Sequence, residues 1–166
     1  MITLVLGGTR SGKSEVAEAL AAGRPGPVTY VATGTATDAD MAERIAAHRR
    51  RRPGAWSTVE AGADLPAVLA GLAGSAVVDS LGTWVAASSD LAPDVPALCR
   101  ALRDRPGDTI VVSEEVGLGV HPPTEVGRRF ADALGALNRA VADVADRVLL
   151  VVAGRVLPLD RAEGLP

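Results

Sequence analysis

Residues 7–14 read GGTRSGKS, glycines followed by a lysine and a hydroxyl, and fit the pattern G-x-x-x-x-G-K-[ST]. The chemistry that this spacing serves is the grasp of a polyphosphate. Around Gly7, Gly8, Thr9, Arg10, Ser11 and Gly12 the backbone N–H groups can curl about phosphate oxygens, and the helix that follows adds its dipole and unpaired donors. Lys13 would set a compact ammonium against β- and γ-phosphates, and the Ser14 hydroxyl can ligate Mg²⁺. The bland alternative is a chance glycine-rich turn. Base usage argues against it: of 17 Lys plus Arg, 16 are Arg and the single Lys is Lys13. In a chain this rich in Ala, Gly and Arg, lysine marks a position where a planar guanidinium does not substitute for an ammonium.

A second cluster lies at 38–52, DADMAERIAAHRRRR. Met41, Ile45 and His48 fall at i, i+4 and i+7, so on a helix over 38–51 the histidine shares the apolar stripe. Arg49, Arg50, Arg51 and Arg52 follow, and Pro53 ends the helix. His48 reads either as a partly buried helix histidine or as a nucleophile toward phosphorus; the arginines read either as a solvated helix end that complements the macrodipole or as a clamp on phosphate oxygens.

Carboxylates end two apolar runs. Asp79 closes AVVD, where it either caps the next turn or stands near Mg²⁺ and nucleotide; Glu114 and Glu115 close TIVVSEE and compete with it for that place. The loop 115–122, EVGLGVHP, lies at the carboxyl end of a strand, the edge on which parallel sheets bind ligands, and its His121 reads as solvent-facing. Phe130 and Leu134 read as core.

The elements that must position these groups alternate. Apolar runs at 2–6, 28–33, 76–80, 109–113 and 147–153 read as buried strands, and 14–22, 38–51, 65–72, 95–103 and 124–145 carry helical periodicity. Buried strands alternating with helices predict an α/β fold, a mostly parallel sheet with helices on both faces, and 155–159 can fold back as an antiparallel edge strand. At 166 residues the chain suits one domain, read as 1–160, with 161–166 as a flexible tail.

Composition excludes several classes. Net charge is −3 and the sequence pI about 5.4, and there are only four aromatic residues, which speaks against nucleic-acid binding. No run is apolar enough to insert into a membrane, the start lacks the features of a secretory signal, and the lone Cys99 has no internal disulfide partner, so a cytoplasmic setting is expected.

Together these stretches resemble the bifunctional adenosylcobinamide kinase/adenosylcobinamide-phosphate guanylyltransferase family of cobalamin biosynthesis. The resemblance rests on GGTRSGKS, YVATG (30–34), DADMAERIAAHRRRRPGAWSTVE (38–60), VVDSLGTWV (77–85), EVGLGVHP, RRFADALGALN (128–138) and ADRVLLVVAG (145–154), and most specifically on H-R-x-x-R-P-x-x-W-x-T-x-E from 48 to 60. It implies a P-loop NTPase-like, RecA-like fold and two reactions. The γ-phosphoryl group of ATP or GTP passes to the aminopropanol hydroxyl of adenosylcobinamide; then a histidine, here His48, takes GMP from GTP and hands it to adenosylcobinamide phosphate. It implies catalytic roles for His48 and Lys13. Nucleotide contacts are implied at 7–14, at Ala32, Thr33 and Gly34, at 49–52, at Glu60 and at Asp79, with Mg²⁺ held by Ser14 and Asp79, and a homotrimer is implied as well. Many members carry Asn where this chain has Glu114. A simple P-loop kinase and a nucleotide-dependent switch are the other readings that the residues allow.

Overall fold

The computed structural model describes residues 1–34, 43, 46, 50 and 53–161. Seven strands form one sheet in the order β3-β2-β4-β5-β1-β6-β7. They are β1 Ile2–Gly7, β2 Val28–Ala32, β3 Ser57–Glu60, β4 Ser75–Asp79, β5 Thr109–Glu114, β6 Arg147–Val152 and β7 Arg155–Leu159. All pairings are parallel except β6 with β7, which is the antiparallel edge expected from the sequence. The described helices of seven residues or more are α1 Lys13–Ala22, α2 Leu65–Gly71, α3 Leu81–Ala87, α4 Val95–Asp104 and α5 Glu125–Val144.

Side-chain alternation along the strands explains why both faces are covered. Leu4 and Leu6 of β1, Val78 of β4 and Val111 of β5 point into a core shared with Leu65, Trp84, Leu98, Leu134 and Leu137 of α2 to α5. Their neighbours Val5, Val77, Ile110 and Val112 face the other way, onto Ala17 and Ala21 of α1. Small alanines on that face of α1 let it lie close over the sheet centre. Leu134 is fully buried and Phe130 packs partly buried beside it, in keeping with the sequence reading.

At the edge of the sheet where the parallel strands begin, polar side chains tie the chain together. The Arg105 guanidinium donates to the carbonyls of Gly74, Gly107 and Asp108 and to the Thr109 hydroxyl. Asp108 pairs with the N-terminal ammonium at 2.8 Å and with Arg24 at 3.1 Å. The thiol of Cys99, which forms no disulfide, is pushed up from its ordinary pKa by burial, with Arg103 acting against the shift and Asp143 adding to it.

Two elements differ from the sequence expectation. The segment 57–60 is a sixth strand of the parallel array, at its edge beside β2, and 81–87 is a helix that hydrophobic periodicity does not reveal. The expected helix at 38–51 lies outside the described residues, apart from Glu43, Ala46 and Arg50, which are helical. Residues 162–166 of the expected tail are outside them too.

Candidate active site

The strand order brings the functional groups to one edge. β1 ends at Gly7, which is in register with Glu114 at the end of β5; β4 ends at Asp79, in register with Ala32 of β2, and Ala32 is in register with Glu60 of β3. Because parallel strands all present their carboxyl ends on the same side, residues far apart in sequence converge there.

The stretch 8–12 turns the chain from β1 into α1. Gly12, at the helix N-cap, has φ +93°, a conformation that a side chain disfavours, so the glycine before Lys13 is a backbone requirement. The loop is held from two sides. Its Ser11 carbonyl accepts from the Gly154 N–H at 2.8 Å, in the turn between β6 and β7, and the Gly7 carbonyl accepts from the Glu115 N–H at 3.1 Å. Lys13 and Ser14 then open α1, with Lys13 largely covered.

Lys13 Nζ lies 3.7 Å from Glu114 Oε1. The other carboxylate oxygen, Oε2, accepts from the Ser80 hydroxyl and from the Gly82 N–H, both at 3.0 Å. Gly82 is where the helix must come close: a Cβ there would collide with that same oxygen. The backbone carbonyl of Glu114 accepts from Asn138 Nδ2 at 3.0 Å, while Asn138 Oδ1 accepts from the Ser113 hydroxyl at 2.6 Å. Glu114 is thus held at backbone and side chain together.

Asp79 has a different neighbour. Its Oδ2 accepts from the Tyr30 hydroxyl at 2.7 Å, across the β2–β4 pair. One residue on, Ser80 caps α3 in a capping box with Thr83. The buried Thr33 hydroxyl accepts from the Ser80 N–H at 2.9 Å and lies 2.6 Å from both the Ser80 carbonyl and Thr83 Oγ1. Gly34 runs close against Thr83. The segment 32–34 is therefore clamped to the start of α3, beside the ends of β2 and β4.

Of the residues expected from the sequence, the structure gathers 7–14, Ala32, Thr33, Gly34, Glu60 and Asp79 along this edge. Arg50 is exposed, and His48, Arg49, Arg51 and Arg52 lie outside the described residues. His121 is exposed, as expected.

A family model described as "Cobinamide kinase / cobinamide phosphate guanyltransferase" matches residues 3–159. The chain belongs to the cobinamide kinase/cobinamide phosphate guanyltransferase family. It is 43% identical to the bifunctional adenosylcobalamin biosynthesis protein CobP of Pseudomonas aeruginosa, over 96% of this chain and 97% of that protein. It is 36% identical to the bifunctional adenosylcobalamin biosynthesis protein CobU of Salmonella typhimurium, over 93% of this chain and 97% of the relative. In fold it is similar to a solved ATPase from the type III secretion system of pathogenic bacteria. That match has a TM-score of 0.55 at 13% identity and covers 90% of this chain and 50% of the ATPase chain. The fold is thus the P-loop NTPase architecture expected for this family.

Within that family frame, sequence reasoning missed Ser80, Gly82, Thr83 and Asn138. Two signals were available. Ser80 and Thr83 stand three apart, the spacing of a reciprocal helix cap, and Asn138 is a polar residue in the stripe formed by Leu134, Leu137 and Val141.

Proposed function

We propose that this chain is an adenosylcobinamide kinase and adenosylcobinamide-phosphate guanylyltransferase that uses both the phosphate loop and His48. The observation that carries the reading is the family match along nearly the whole chain, joined to a phosphate loop whose single lysine stands at the carboxyl edge of a parallel sheet.

In the first reaction the aminopropanol hydroxyl of adenosylcobinamide attacks the γ-phosphorus of ATP or GTP. The bond to the β,γ-bridging oxygen breaks, the nucleoside diphosphate leaves with that electron pair, and the hydroxyl proton is released to solvent. Lys13 and the N–H groups of 8–14 balance the charge on the phosphate oxygens, and the rigid ties to Gly154 and Glu115 keep those donors aimed. The hard oxygen donors at this edge, the Ser14 hydroxyl and the Asp79 carboxylate, suit Mg²⁺, which mostly keeps phosphate and water oxygens as ligands. Bound with the nucleotide, it supplies charge neutralisation.

In the second reaction a ring nitrogen of His48 attacks the α-phosphorus of GTP. Pyrophosphate departs, and GMP stays on the ring as a phosphoramidate. A phosphate oxygen of adenosylcobinamide phosphate then attacks the same phosphorus, the P–N bond breaks, and adenosylcobinamide-GDP forms. Arg49, Arg50, Arg51 and Arg52 hold the phosphate oxygens, and Ala32, Thr33, Gly34, Glu60 and Asp79 contribute to the nucleotide site. A homotrimer and a cytoplasmic setting belong to the same reading. Exposed Val156, Leu157 and Leu159 on β7 offer apolar area for self-association, and none of the described helices is long and apolar enough to cross a membrane.

The test is incubation with GTP labelled at the α-phosphate. An acid-labile, alkali-stable label on the chain, absent from His48→Ala, is expected. Turnover of adenosylcobinamide without such a label would leave a simple kinase; no turnover at all would leave a nucleotide-dependent switch.

A further inference from the structure

We propose that Glu114 is a fixed anion in the wall of the phosphate site that makes nucleotide binding depend on a divalent cation. The inference rests on the nucleotide-binding reading of 7–14 and adds a residue that this reading does not use.

Three observations carry it. First, Glu114 Oε1 lies 3.7 Å from Lys13 Nζ, the ammonium that the phosphate loop offers to phosphate oxygens. Second, the carboxylate is not free to swing away. Its Oε2 is held by the Ser80 hydroxyl and the Gly82 N–H, and its backbone by Asn138 and the strand pairing with Gly7. Third, the fold makes room for it, since only the missing side chain at Gly82 lets α3 approach that oxygen. Among the described residues, Lys13 on α1 is the charged group that faces the carboxylate. α3 brings the uncharged donors Ser80 and Gly82, α5 brings Asn138, and the neighbouring strand β4 ends in Asp79.

The consequence is electrostatic. A lysine alone sets an unopposed positive charge against the phosphates, whereas a lysine paired with a held carboxylate has that charge offset where the phosphates meet it. A metal-free nucleoside triphosphate carries about four negative charges and must face Glu114 once its phosphates take Lys13. With the cation attached the net charge is about half that, and the repulsion is correspondingly weaker. Glu114 therefore discriminates against the metal-free nucleotide, the form that positions no transferable phosphoryl group.

The experiment is equilibrium binding of a non-hydrolysable GTP analogue to the full chain, with Mg²⁺ and with EDTA, for wild type, Glu114→Gln and Glu114→Asp. In Glu114→Gln, which keeps the shape and an acceptor for Ser80 and Gly82, the metal-free analogue should bind tenfold or more tightly than to wild type. The magnesium complex should change by less, so that the ratio of the two affinities shrinks. Glu114→Asp keeps the charge and should retain a ratio closer to wild type. Damage to the fold cannot produce tighter binding, so the sign of the change separates this role from a structural one. Unchanged or weaker metal-free binding in Glu114→Gln overturns the inference, as does selective weakening of the magnesium complex, which would make Glu114 a metal-side ligand. Failure of the wild type to bind the analogue under either condition would overturn the nucleotide-site reading itself.

Discussion

Asn138 Nδ2 donates to the main-chain carbonyl of Glu114 at 3.0 Å, so the longest of the described helices is bolted to the strand end that faces Lys13. The same amide oxygen accepts from the Ser113 hydroxyl at 2.6 Å, in a fully buried setting. One side chain thereby satisfies two groups of β5, the buried Ser113 hydroxyl and the half-buried Glu114 carbonyl.

Asn138→Leu fills a similar volume but leaves the Ser113 hydroxyl and the Glu114 carbonyl without this partner. Stability should fall by about 1–3 kcal/mol, the cost of stranding buried polar groups, and urea unfolding measures it. Asn138→Asp keeps the acceptor for Ser113 and loses the donor to Glu114. It too should be destabilised, and a midpoint equal to wild type in both variants would remove the bolt from this account.

Gly82→Ala tests the close approach of α3. Alanine favours a helix by about 0.5–1 kcal/mol over glycine, which offsets only part of the crowding and of the lost bond from the Gly82 N–H, so the melting temperature should fall. The carboxylate of Glu114 must shift from the Gly82 N–H, and metal-free nucleotide should then bind more tightly, as in Glu114→Gln. A Gly82→Ala protein with wild-type affinities under both metal conditions would show that the carboxylate has room to spare.

Lys13→Arg keeps the charge and changes its shape. A planar guanidinium cannot occupy the pocket of an ammonium whose side chain is only 12% exposed and beside Glu114. Phosphoryl transfer to adenosylcobinamide should drop by about 100-fold or more, and turnover near wild type would refute the reading of the lone lysine.

Asp108 sets an acid limit on stability. The hydrogen bond from the N-terminal ammonium holds its carboxyl below the ordinary carboxylate value, and the charges of that ammonium, Arg24 and Arg105 act in the same direction against a burial cost. A depressed folded pKa contributes stability that is complete above the ordinary carboxylate value and is lost as the pH falls through the folded value. Asp108→Asn should therefore melt below wild type at neutral pH, and the two curves should converge in acid. A constant gap between them across that range would assign the effect to packing.

Much of this was legible in local sequence. The phosphate loop was, because strand, glycines, lysine and helix start are consecutive and each answers a local rule: Gly12 must take a positive φ, and Lys13 and Ser14 must open α1. The buried strands were, because two covered faces leave no polar alternation, as the run Ile2 to Leu6 displays. The helix at 81–87 was not, since seven residues with a glycine near the start carry too little periodicity, and its capping box is closed by hydroxyls rather than by a glutamate.

By itself, then, the sequence determined the fold class, the phosphate loop, the lone lysine within it and, through its resemblance, the family. Only the tertiary structure decided which carboxylate stands beside that lysine. Asp79 and Glu114 both end apolar strands and are equivalent to any local rule. The strand order breaks the tie by seating β5 next to β1 and β4 one strand further out, so that Glu114 meets Lys13 while Asp79 meets Tyr30. Glu60 reaches the same edge of the sheet because β3 pairs with β2. Strand order comes from the packing of helices on two faces of one sheet, a property of the whole chain that no short segment encodes.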